Sequence, residues 1–148
     1  MTFNINTFLG LAAVIRGLYG LRPAVAAVFE RLGVSGVLYD PIVTASFNEV
    51  SAFRIAFYFG MSMSYLLIAW GALQGRRWLA WFAGAVYLID ETWWILTTFD
   101  PHSDAVHASV EADAGFDPAL IDWAMFGLET LIFTGALYIA LTARRPRS

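Results

Sequence analysis

Residues 78–99 read Trp78-LAWFAGAVYLIDETWWILTT-Phe99, and this run decides the fold. Twenty-two residues without a proline, mostly apolar, match a membrane-crossing helix, which needs roughly 20 residues at about 1.5 Å rise each. Two adjacent acids, Asp90 and Glu91, stand inside it. An ionised side chain at the bilayer centre costs about 2.5 kcal/mol or several times more, so such residues turn inward and find partners. An apolar helix with an acidic face therefore predicts several spans packed together.

The rest of the chain agrees. Of its 148 residues, 59% are hydrophobic and 14% charged, with mean hydropathy +0.61. A soluble domain is nearer 45–50% apolar and about 25% charged. Outward from the central run, Ser51–Leu73 ends at a Gln74-Gly75-Arg76-Arg77 turn, and Leu120–Thr142 ends before Arg144-Arg145-Pro146-Arg147. The first segment, Asn4–Leu21, is shorter and contains Arg16. It is read as a span, although the spacing of Arg16, Arg22, Glu30 and Arg31 also suits an interfacial helix. Pro23 removes a backbone donor and disfavours helix in the residue before it, which predicts a break near Arg22. Ala24–Leu32 is then expected to be a short interfacial helix. The expected fold is all-α: one transmembrane domain over residues 1–148, a four-helix bundle with spans at 4–21, 51–73, 78–99 and 120–142.

All nine basic residues are Arg. Arg76, Arg77, Arg144, Arg145 and Arg147 mark one side, which the positive-inside bias makes cytoplasmic. The segment from Asp100 to Ala119 holds five acids and no base, and is expected outside. Both termini are then cytoplasmic, in what is expected to be a bacterial inner membrane. No basic residue precedes the first apolar stretch, so a cleavable signal peptide is not expected. The absence of Cys excludes disulfides, thiolate metal sites and a cysteine nucleophile. The two histidines, His102 and His107, lie in the acidic segment, so none can ligate a haem within the spans. A metal there is not expected, since an acidic loop is the commoner reading, and no cofactor is expected either. A basic nucleic-acid footprint is absent.

Five charged residues fall three or more positions inside the expected spans: Arg16, Arg54, Asp90, Glu91 and Glu129. Counted from the expected outer ends, Arg16 lies about 9 Å deep, Glu91 about 12 Å, Glu129 about 13 Å and Arg54 about 5 Å. Helical phase groups them further. Arg54, Tyr58, Ser62 and Tyr65 share one face, as do Tyr87, Asp90, Glu91, Trp94 and Thr98; Asp122 and Glu129 are two turns apart. Turned inward, these faces would line an outer-half site. Arg16, Arg54, Tyr58, Tyr65, Tyr87 and Trp94 are its candidate ligand-binding residues. Glu91, Asp90 and Glu129 are its candidate acids or bases. Three acids against two bases leave one carboxyl expected to be protonated or wet. The alternative is interhelical glue, with pairs such as Arg16–Glu91 or Arg54–Glu129 setting register. Arg54 is expected to pair with Glu129 first, or with Asp90 or Glu91. Trp78, Trp81, Trp93, Trp94 and Trp123 are expected as interfacial anchors, and Gly60, Ser62 and Ser64 as points of close helix approach.

Gly17-Leu18-Tyr19-Gly20 before Pro23, Phe53-Arg54 followed by Gly60, and Glu129 ahead of Arg144-Arg145 give the chain a resemblance to small four-span bacterial membrane proteins of the DoxX-like kind. The resemblance implies a four-helix architecture of varied role, and the Asp90-Glu91-Thr92-Trp93-Trp94 run has no counterpart in it. Three functions are open. One is binding or transport of a small or lipophilic ligand at the charged layer. Another is an accessory subunit of a larger membrane complex, or a homo-oligomer, whose charges serve assembly. The third is a membrane enzyme using carboxylate acid–base chemistry on a lipophilic substrate. The lipid bilayer is the expected partner in all three.

Overall fold

Four helices account for the regular structure in the computed structural model, which describes residues 4–34, 52–98 and 118–142. They are α1 (Ile5–Arg31), α2 (Ala52–Leu73), α3 (Leu79–Thr98) and α4 (Pro118–Thr142). Stretches within three of them are long and apolar enough to cross a membrane: Ile5–Ala26, Ile55–Leu73 and Leu120–Thr142. That points to a membrane protein. α3 is not among the three, since Asp90 and Glu91 interrupt its apolar run.

The helix ends follow local chemistry. Asn4 caps α1, its side-chain oxygen accepting the Asn6 N–H at 3.0 Å. Gly33 closes α1 with φ +75°, and the Val34 N–H reaches back to the Phe29 carbonyl at 3.0 Å. α2 ends in the same way. Gly75 has φ +60°, its N–H bonds the Ala72 carbonyl, and the Arg76 N–H bonds that of Gly71, both at 3.0 Å. This pairing satisfies carbonyls a helix end would otherwise orphan, and it needs the left-handed backbone that glycine adopts freely. The turn expected at residues 74–77 is therefore where the sequence put it.

α1 does not break at Arg22-Pro23. It runs unbroken to Arg31, so Ala24–Leu32 is mostly its final turns and not a separate interfacial helix. Pro23 cannot donate to the Tyr19 carbonyl, a loss normally worth about 3 kcal/mol or more. Packing on both sides offsets it: Gly17 and Gly20 are buried before the proline, Ala24 and Ala26 after it. At 27 residues α1 is about 40 Å long, more than a bilayer's apolar thickness of about 30 Å.

Each helix touches its two neighbours in a closed ring, α1–α2–α3–α4–α1, with α1 against α2 the most extensive contact. A row of small residues makes that approach possible. Gly10, Ala13, Gly17 and Gly20 step by three, four and three along one face of α1. A Cβ at Gly17 would fall 3.1 Å from the Ser62 carbonyl oxygen and from Leu66; one at Gly10 would fall 3.1 Å from Leu73. Of the small residues expected to permit close approach from α2, Ser62 does so, whereas Gly60 faces open space.

The apolar core lies mostly to one side of the charged residues, with Met61 of α2 and the buried Ala24 and Ala26 of α1 on the other. Leu9, Ala12 and Ala13 precede Arg16 on α1, and Leu79, Ala83 and Val86 precede Asp90 on α3. Ile68, Ala69 and Ala72 follow Tyr65 on α2, and Ile132, Ala136 and Ile139 follow Glu129 on α4. All twelve lie toward the α2–α3 turn. The charged residues thus border the larger part of the apolar core. Trp70, Trp81 and Trp123 are exposed on the outer surface of the ring, where amphipathic rings suit a lipid interface.

Candidate functional site

The site is built around Arg16. It stands eleven residues after Ile5 and ten before Ala26, at the midpoint of the apolar part of α1, about 15 Å from either end. The continuation of the helix past Pro23 therefore places it nearer the middle of the apolar stretch than a segment ending at Leu21 would. Its Nε donates to Glu129 Oε1 of α4 at 2.5 Å, and its Nη2 donates to Asp90 Oδ2 of α3 at 2.8 Å. α2 completes the ring: the Tyr65 hydroxyl donates to the same Asp90 oxygen at 2.8 Å. The Tyr65 ring also lies against the guanidinium, 4.9 Å from Cζ to the ring centroid, a cation–π contact. One residue from every helix meets here.

Burial sets the energetics. Tyr65, Asp90 and Glu129 are 2%, 8% and 7% exposed. A buried ion pair holds only when its geometry is good and its remaining hydrogen-bonding capacity is filled. Two separate arms of one planar guanidinium meet that condition for two carboxylates at once, which a lysine ammonium cannot do in this geometry. Gly20, one turn after Arg16, provides the room. A Cβ there would lie 2.9 Å from Arg16 Nη1 and 2.8 Å from the Ser62 hydroxyl oxygen.

Arg16 pairs with Asp90 and Glu129, and the alternative Arg16–Glu91 pair is not formed. Neighbouring helical residues point about 100° apart, and α3 is turned so that Asp90 faces the ring interior. Glu91 falls instead on the α3–α4 seam, half-buried, with its carboxyl in hydrogen-bonding reach of that of Glu129. Its Oε1 is fully buried and has no hydrogen-bond partner among the described residues. Two carboxylates are both acceptors, so this contact provides Glu91 with no donor unless a proton lies between them.

The other expected site residues separate. Tyr87 lies on the seam, its hydroxyl 3.1 Å from Thr130 Oγ1 and its ring stacked on Phe133 at 5.2 Å. Trp94, one turn beyond Glu91, packs against Trp123 and Phe126 of α4 with centroids at 6.2 and 6.4 Å. Tyr58 is half-buried beside Phe57, and its carbonyl accepts the Ser62 hydroxyl at 2.8 Å. None of these three has a described contact with Arg16. Tyr65, expected as a ligand contact, is engaged with Asp90. Arg54 belongs to α2, but its side chain and its expected pairing lie outside the described residues, as do His102 and His107. The sequence reading missed Gly20, although its spacing of four from Arg16 placed the two on one face.

A surface groove of about 330 Å³ lies elsewhere, lined by Phe57, Leu88, Ile89, Thr92, Trp93 and Leu96. It is apolar and includes no residue of the charged ring.

No known protein family, curated protein or solved structure matches the chain.

Proposed function

We propose that this is a small four-span inner-membrane protein that binds or transports a small or lipophilic ligand at its mid-membrane charged layer. The observation that carries the reading is a surplus acid: among the described side chains the Arg16 guanidinium pairs with Asp90 and Glu129, and Glu91 beside them keeps a buried oxygen without a hydrogen-bond partner. Interhelical glue needs matched partners, whereas a surplus acceptor beside a filled pair is what an exchangeable ligand or proton requires. The bulk of the apolar core lies on one side of the charged layer, which supports the same reading.

Packing supports a fourth crossing. α3 lies between α2 and α4, joined to α2 by a five-residue turn, so if those two cross the bilayer α3 crosses with them. The Arg distribution supports cytoplasmic termini. The resemblance to DoxX-like proteins rests on short motifs and supports architecture alone.

The direct pairing of Arg16 with Asp90 and Glu129 favours a second reading, an accessory subunit whose charges hold it together for assembly. A binding screen in lipid nanodiscs separates the two. Cationic, neutral and anionic lipophiles are tested for saturable thermal stabilisation of wild type and Glu91→Gln. The binding reading expects at least one compound to stabilise wild type, and Glu91→Gln to keep its melting temperature and lose that effect. Silence across all three charge classes, together with a destabilised Glu91→Gln, would favour the subunit.

A further inference from the structure

We draw no further inference here: the strongest candidate, the apolar groove of about 330 Å³ between Phe57 of α2 and Leu88, Ile89, Thr92, Trp93 and Leu96 of α3, carries none because nothing in the structure shows what covers it.

Discussion

Arg16 reaches two carboxylates with two different nitrogens, and that division sets what a substitution there does. Arg16→Met should leave Asp90 and Glu129 buried and unpaired, a loss of about 3–5 kcal/mol. Arg16→Lys should recover only part, because one ammonium cannot repeat both arms of the fork. Thermal and denaturant unfolding in detergent measures both, and a stability equal to wild type in Arg16→Met would mean that the ring contributes nothing. Tyr65→Phe keeps the ring beside the guanidinium and removes one hydrogen bond to a charged acceptor, so about 1.5–3 kcal/mol should be lost. A neutral result there would show that Arg16 alone suffices for Asp90. At this scale much was legible: ionisable residues in apolar helices must turn inward, which identified Arg16, Asp90 and Glu129 as interior groups. Their partners were not legible. Whether Asp90 or Glu91 meets Arg16 depends on the rotation of α3, a property of the packed ring that Asp90-Glu91 alone does not encode.

Helix α1 shows where local rules stop. Its N-cap, its glycine C-cap and the α2 turn at Gly75 all follow from residue type, but Pro23 does not end the helix as its chemistry suggests. Small residues stacked on one face bring α1 against α2, and this contact outweighs one missing hydrogen bond. Gly17→Leu should therefore force the pair apart and cost about 1–3 kcal/mol, occasionally more. Gly60→Ala is the matched control. Its Cβ would meet nothing within 4 Å, and the gain in helix propensity should leave stability unchanged or raised by up to about 1 kcal/mol. Equal melting temperatures for the two variants would contradict the close approach of α1 to α2.

Across the whole molecule, the Arg distribution predicts one orientation of the ring in a bilayer. The native chain has no Cys, so single cysteines report it directly. In intact spheroplasts, Ser109→Cys should react with an impermeant maleimide and Ser148→Cys should not react until the membrane is opened. Reaction of both from the same side would break the four-span topology. The all-helical class, the long apolar helices and the inward turn of Arg16, Asp90 and Glu129 were legible in the sequence itself, because hydrophobic length and the cost of unpaired charge are properties of residues in order along the chain. The separate helix expected at Ala24–Leu32 was not found. Only the tertiary structure decided that Arg16 joins Asp90 to Glu129, that Tyr65 closes the ring, and that Glu91 is left on the α3–α4 seam. Those outcomes depend on how far each helix is rotated and how closely it approaches its neighbour. Rotation and approach emerge when glycines on one helix meet side chains on another, far apart in sequence.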